Sequence, residues 1–112
     1  MNRPQRNSNP GNLRYAEQRE ATGKDDNGFA VFPNDPAGWR ALARQVNLDQ
    51  TRGLTIREFT HKYAPATEND TTSYLDFLCS GLRAQPDEKL DFYSRYAIAG
   101  LIAKREGYFN ES

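Results

Sequence analysis

Apolar and polar residues alternate in a way that predicts two helices on either side of a polar loop. From residue 56 to residue 63 an apolar side chain recurs every three or four positions, which is the spacing of an amphipathic helix. Thr55 and Glu58 have capping-box spacing, and Pro65 ends this helix because the residue before a proline avoids the α conformation. Asp70 is predicted to cap a second helix. The apolar face of that second helix comprises Tyr74, Leu75, Leu78 and Leu82.

Two further helices are predicted from the same kind of pattern. Asp35 and Pro36 form a helix start, with the aspartate as cap and the proline at the first helical position. The apolar stripe of that helix is Trp39, Leu42, Ala43 and Val46. The last helix is predicted to open at 85–88 and to run to the region of Gly107. Gly100 lies within it, and we expect another backbone to approach closely there.

The N-terminal third favours a small β structure. Asn9 to Asn12 form an Asn-Pro-Gly-Asn turn, and the extended segment 13–15 is expected to pair with the apolar segment 29–32. The fold class expected is therefore α+β, mainly α, with a small two-stranded antiparallel β ribbon near the N-terminus. Residues 1–8 are polar and are predicted to form a flexible N-terminal arm, and residues 9–112 are predicted to form a single domain.

Composition narrows the function by excluding several classes. Lysines plus arginines equal aspartates plus glutamates at 15 each, so no global charge favours nucleic acid, which is not expected as a partner. One histidine and one cysteine provide no zinc-ligand set, and we expect no metal and no cofactor. No apolar stretch predicts a membrane span or a secretion signal, so we expect synthesis in a cytoplasm.

Three motifs in series resemble a group of small bacteriophage and prophage proteins. The residues concerned are Arg6 to Arg14, then Phe29 to Pro33 with Ala37 to Leu42, then Tyr63 to Pro65 with Glu68 to Thr71 and Tyr74. The group consists of virion structural proteins related to the lysozyme-like superfamily. The resemblance implies a lysozyme-like helical domain, and partners that are other virion proteins or the glycan of peptidoglycan.

The resemblance is incomplete at the position that matters for catalysis. In lysozyme-like enzymes the catalytic glutamate lies on a long helix before the ribbon, and here no acidic residue precedes Asn9. We therefore expect a virion-associated structural or accessory protein with a degenerate fold, a pseudoenzyme. The alternative is an active peptidoglycan muramidase or lytic transglycosylase, in which Glu17 or Glu20 supplies the proton.

The same resemblance implies candidate residues for binding glycan. The candidates for contact with glycan are Asn12, Tyr15, Tyr63, Glu68, Asn69 and Asp70. Tyr108 and Phe109 follow the last helix, where they either fold back onto the core or stay exposed as an aromatic anchor for assembly.

Overall fold

The computed structural model describes residues 1–67 and 69–111. Within them the chain is mainly helical with one small antiparallel sheet, so the predicted fold class is confirmed. The elements in order are α1 (Arg3–Arg6), β1 (Gly23–Lys24), β2 (Ala30–Val31), α2 (Asp35–Thr51), α3 (Ile56–Tyr63), α4 (Thr71–Leu82), a 3-10 helix (Leu90–Phe92) and α5 (Arg95–Glu106). The chain divides into two compact units. Unit 1 contains residues 1–45 and 102–112, and unit 2 contains residues 46–101.

In unit 1, strand β2 pairs mainly with β1, a strand that was not predicted from the sequence. β1 pairs with β2 in the register Gly23 to Val31 and Lys24 to Ala30, because the turn at 25–28 folds the chain directly back on itself. The predicted partner, segment 13–15, pairs antiparallel with the residues at the start of β2, through a bridge between Arg14 and Phe29 and hydrogen bonds from the Tyr15 N–H to Gly28 and from the Ala30 N–H to Leu13, both at 2.9 Å. The predicted pairing of 13–15 with 29–32 is thus present in part, and the strand β1 that pairs with β2 was not predicted.

The Asn-Pro-Gly-Asn turn is anchored by a fully buried side chain. The Asn9 amide nitrogen donates to the carbonyl oxygens of Leu13 and Ala30, at 3.0 and 2.9 Å, and its oxygen accepts from the Leu13 N–H at 2.9 Å. The same turn packs against the start of α2 at Gly38, where a Cβ atom would lie 2.0 Å from the Ser8 carbonyl oxygen. Asparagine at 9 and glycine at 38 are therefore requirements of packing.

Residues 1–8, predicted to be a flexible arm, contain helix α1. Its N-cap is Asn2, which accepts from the Gln5 N–H while the Gln5 side chain accepts from the Asn2 N–H, a complete capping box. Pro4 and Asn7 are buried. The structure therefore places this polar stretch against the rest of unit 1 instead of extending it into solvent.

The two central helices of unit 2 begin where the sequence predicts. The Thr55 hydroxyl accepts from the Glu58 N–H and the Glu58 carboxylate accepts from the Thr55 N–H, which is the predicted capping box of α3. The Asp70 carboxylate accepts from the Ser73 N–H and caps α4. Phe59 and Tyr74 are buried between the helices, with Tyr63 between their rings.

The last helix starts later than predicted, at Arg95. Residues 85–88 form a turn, and Lys89 pairs with Thr55 in an antiparallel bridge, in which the Ile56 N–H donates to Glu88 and the Leu90 N–H donates to Leu54, at 3.0 and 2.9 Å. The Glu88 carboxylate accepts from the Tyr93 hydroxyl at 2.6 Å, so it secures a turn instead of a helical first turn. A short 3-10 helix then leads into α5.

Two smaller predictions were also wrong. The residue that caps α2 is Asn34, whose side chain accepts from the Ala37 N–H at 2.9 Å, and Asp35 lies inside the helix. At Gly100, no described atom lies within 4 Å of the position a Cβ would occupy, so no close backbone explains this glycine. In unit 2, a Cβ atom at Gly81 would lie 2.5 Å from the Leu101 side chain, so the close approach is at this glycine.

A buried carboxylate links α2 to α3 inside unit 2. Asp49 is fully buried and accepts from the Lys62 ammonium at 2.9 and 3.1 Å and from Arg52 at 3.1 Å. A buried carboxylate requires such paired cations, since an uncompensated buried charge costs several kcal/mol. The cluster therefore has a structural explanation.

Candidate functional site

The first candidate acid, Glu20, is held as an anion by two arginines of α2. Its carboxylate accepts from Arg40 Nε and Nη2, at 2.7 and 2.6 Å, and lies 3.7 Å from Arg44. The hydrogen bond from Arg40, with the positive charges of both arginines, lowers the pKa of the Glu20 carboxyl below its ordinary value. A general acid at neutral pH requires the opposite shift, so this environment suits an ion pair and disfavours proton donation.

The second candidate acid, Glu17, is exposed and lies in the loop between residue 15 and β1. Its backbone has φ of 56°, the left-handed region that a side chain other than glycine or asparagine rarely adopts. A catalytic acid needs a desolvated carboxyl on a rigid element. This position provides neither.

The candidate glycan-binding residues of unit 1 are Asn12 and Tyr15, and some of their polar groups already have hydrogen-bond partners within the protein. Asn12 is half-buried, and its amide nitrogen donates to the Glu106 carboxylate at 3.3 Å. Its oxygen Oδ1 is buried and has no hydrogen-bond partner among the described residues. Tyr15 is half-buried, and its backbone N–H donates to Gly28. Asn12 thus has one buried acceptor that no described group fills.

The candidate ligands of unit 2 surround the loop between α3 and α4. Asp70 is engaged in capping α4, and Asn69 is half-buried with its backbone N–H donating to Pro65. Tyr63 is half-buried, with ring centroids 5.4 Å from Phe59 and 6.4 Å from Tyr74. Glu68 lies outside the described residues. Asp70 therefore has a structural role as the cap of α4. A glycan-binding role for Tyr63 and Asn69 stays a prediction.

The most exposed aromatic cluster of unit 1 lies where α5 ends. The Phe109 ring is centred 5.2 Å from Tyr108 and 6.0 Å from Trp39, and Tyr108 meets Trp39 edge-on at 5.5 Å. Phe109 is 60% exposed, whereas Tyr108 and Trp39 are half-buried. These three side chains form a continuous surface, which we call the C-terminal aromatic surface. Both alternatives of the sequence analysis are realised, because Tyr108 packs inward and Phe109 remains exposed.

Partial burial and a polar partner hold the Tyr108 phenol in place. Burial, together with a hydrogen bond to the Asp35 carboxylate, raises the pKa of Tyr108, and a hydrogen bond from Trp39 acts in the opposite direction. The phenol is therefore neutral at physiological pH and donates to Asp35. This contact fixes the ring on which Phe109 rests.

The N-terminal helix supports the backbone of the same surface. The Asn2 side-chain amide donates to the Gly107 carbonyl at 2.7 Å, and the Gln5 amide donates to the Tyr108 carbonyl at 3.1 Å and also to Asn110. Asn2 and Gln5 also form the capping box of α1. These hydrogen bonds hold both side chains in the orientation in which they contact the C-terminal segment. The sequence did not predict these contacts of Asn2 and Gln5 with residues 107–110, which we call the clasp of α1. The Asn-x-x-Gln spacing of a capping box was the available signal.

The described residues offer no metal centre and no membrane span. Within 1–67 and 69–111, no group of three histidine, cysteine, aspartate or glutamate side chains could hold a metal ion. Over the same ranges, every helix is too short or too polar to cross a bilayer.

Comparison with known protein families and with curated proteins found no match for this chain.

Proposed function

We propose that this chain is a non-catalytic structural or accessory protein of a bacteriophage or prophage virion, with a degenerate lysozyme-like fold, that binds a partner protein. The observation that carries the binding role is the C-terminal aromatic surface: Phe109 is 60% exposed, yet its support is held at fixed positions by Trp39, Tyr108 and α1. Aromatic side chains dominate the energetics of protein interfaces. An anchor whose support is ordered in advance loses little entropy when it binds.

The non-catalytic part of the proposal is supported by the environment of the candidate acids. Glu20 is ionised between Arg40 and Arg44, and Glu17 is exposed. Neither carboxyl lies in a desolvated site, which a general acid at neutral pH requires. On this proposal the protein is made in the bacterial cytoplasm and then becomes part of the virion.

The direct test is an assay for peptidoglycan cleavage. Purified protein is incubated with isolated cell walls, and turbidity and released muropeptides are measured beside a lysozyme control. We expect no release above buffer. The alternative, an active muramidase or lytic transglycosylase, predicts release that disappears in Glu17→Gln or Glu20→Gln, and that result would refute the non-catalytic proposal.

A second candidate ligand is the glycan itself, bound without cleavage. The observation in its favour is the buried Asn12 Oδ1, an acceptor without a partner among the described residues, since such atoms in folded proteins usually have one. A sugar hydroxyl could donate to it if the surrounding residues move to expose this buried oxygen. Titration of ¹⁵N-labelled protein with a chitooligosaccharide should then shift the Asn12 and Leu13 amides, and the Asn12→Gly variant should lose those shifts. Unchanged amides at millimolar sugar would exclude this ligand.

A further inference from the structure

Nine asparagines occur in the chain, and Asn27 alone is followed by glycine. Asparagine is a labile residue, because the backbone nitrogen of the next residue can attack its side-chain carbonyl carbon and expel ammonia. A following glycine favours this attack, since it has no side chain to shield the nitrogen and its backbone adopts many conformations. By sequence, Asn27 is therefore the most reactive asparagine of the chain.

The structure exposes Asn27 at the tip of the ribbon, in the turn between β1 and β2. Its hydrogen bonds are made by its backbone. The carbonyl oxygen accepts from Arg14 Nη1, and the N–H donates to the Asp25 carboxylate, both at 2.9 Å. No described residue makes a hydrogen bond with the Asn27 side-chain amide, so this group can turn toward the next residue without losing a partner.

The environments of other asparagines disfavour the same reaction. Asn7 and Asn9 are buried, and the amide nitrogen of each side chain donates a hydrogen bond, to Asp25 and to backbone carbonyls respectively. Asn47 is exposed, but it lies within α2, where the helical backbone holds the following nitrogen away from the side chain. Exposure, an unbonded amide and a following glycine therefore coincide at Asn27.

The fold requires the glycine that makes Asn27 labile. Gly28 has φ of 88°, in the left-handed region that favours glycine. Its N–H donates to the Asp25 carbonyl at 3.1 Å and closes the turn at 25–28. The nitrogen that would attack Asn27 is thus held in a hydrogen bond, which must open before the reaction begins.

We propose that Asn27 is a modification site, at which the side-chain amide is lost spontaneously at a rate set by opening of the turn at 25–28. The Gly28 nitrogen forms a bond to Asn27 Cγ and loses its proton. The bond from Cγ to the amide nitrogen breaks, and ammonia leaves with that proton. Water then adds to either carbonyl of the cyclic imide, which gives aspartate or isoaspartate. The reaction needs no partner, so it is independent of the proposed virion role.

Isoaspartate changes the turn more than aspartate does. The main chain then runs through Cβ and Cγ of residue 27, which lengthens the turn. The former backbone carbonyl becomes a carboxylate, on the group to which Arg14 donates. Because β1 and β2 have two residues each and the turn sets their register, Gly23 to Val31, a longer turn should weaken the ribbon.

Incubation of the full chain at mildly alkaline pH tests the site. Mass spectrometry of digested samples follows the peptide that contains residue 27, and an isoaspartate-specific methyltransferase measures the rearranged product. We expect both signals to grow with time and to be lost in Asn27→Gln, because glutamine must close a larger ring. Asn47→Gln is the matched control and should leave them unchanged. An amide that persists at residue 27, or an earlier reaction at another asparagine, would overturn the proposal.

Asp25→Ala tests the link to opening of the turn. The Asp25 carboxylate accepts from the Asn27 and Phe29 N–H groups, both at 2.9 Å. Loss of these bonds should raise the rate by about tenfold or more. Asp26→Ala is the matched control, because it removes the neighbouring exposed carboxylate, and the rate should stay within about twofold.

Unfolding the wild type in urea provides a test that does not depend on a variant. The urea-unfolded chain should lose the amide faster than the folded chain at the same pH, because Gly28 is then released from its bond to Asp25. Equal rates in the folded and unfolded chain would overturn the proposed control by the turn. Circular dichroism establishes whether Asp25→Ala is folded, and the comparison in urea decides the question in either case.

Discussion

Replacing Asn9 by alanine should destabilise unit 1 strongly. The Asn9 side chain is fully buried and makes three hydrogen bonds to the backbone, as acceptor from the Leu13 N–H and as donor to the carbonyls of Leu13 and Ala30. Without it, the Leu13 N–H loses its partner in a buried site, which costs about 1 to 3 kcal/mol. The two carbonyls each lose a hydrogen bond worth about 1 kcal/mol. We expect a loss of roughly 3 kcal/mol or more in the free energy of unfolding.

Urea denaturation followed by circular dichroism measures this loss. For a domain of this size, 3 kcal/mol corresponds to a fall of roughly 10 °C or more in Tm, which a thermal scan checks independently. Asn47→Ala is the matched control, because Asn47 is exposed on α2, and its effect should stay within about 0.5 kcal/mol. If Asn9→Ala cost less than about 1 kcal/mol, the assignment of Asn9 as the anchor of the turn would be wrong.

Three further predictions concern separate parts of the fold. Gly38→Ala should cost about 3 kcal/mol or more because its Cβ would clash with a backbone oxygen, whereas Gly100→Ala meets no described atom and should gain about 1 kcal/mol; urea midpoints compare them. NMR titration should give the Glu20 carboxyl a pKa below its ordinary value, and this pKa should rise in Arg40→Gln. Because the folded-state pKa is lowered, the ion pair stabilises the fold above the ordinary pKa, and this stabilisation is lost as pH falls through the lowered pKa. An unchanged pKa in the variant would contradict the pairing. Gln5→Ala should speed hydrogen exchange at 107–110, and unchanged protection would refute the clasp.

The parts of the fold that the sequence predicted correctly depend on local signals. The start of α3 follows from Thr55 and Glu58, which are three residues apart, and the start of α4 follows from Asp70. In each case the cap and its backbone partner lie within the same turn. All the interacting groups therefore lie within one short stretch of sequence.

Two of the incorrect predictions have a different cause. Segment 86–90 has the acidic residues of a helical first turn, but its backbone bonds to Leu54 and Ile56, more than 30 residues earlier in the chain. The clasp of α1 depends in the same way on Gly107 and Tyr108, at the other end of the sequence. Pairings over such separations leave no periodic signature, so helical propensity is a poor guide where they exist.

The candidate site was predictable only in its residue types. Tyr108 and Phe109 were identifiable as a possible aromatic anchor because they follow the final helix. Their division into one packed and one exposed ring depends on Trp39 and Asp35, which lie at the start of α2. For Glu20, sequence gave no indication of the bidentate contact with Arg40, because the two residues are separated by the whole ribbon.

The residues that carry the family resemblance are used mainly for packing. Asn9 satisfies buried backbone groups, Gly38 permits the approach of the Ser8 carbonyl, and Asp70 caps a helix. Each position has a steric or hydrogen-bonding reason for its residue type that involves no substrate. A resemblance that rests on such residues predicts a shared architecture, and by itself it predicts no shared chemistry. The same residue types would be required with or without catalysis, so these positions do not distinguish the proposed non-catalytic role from its enzymatic alternative.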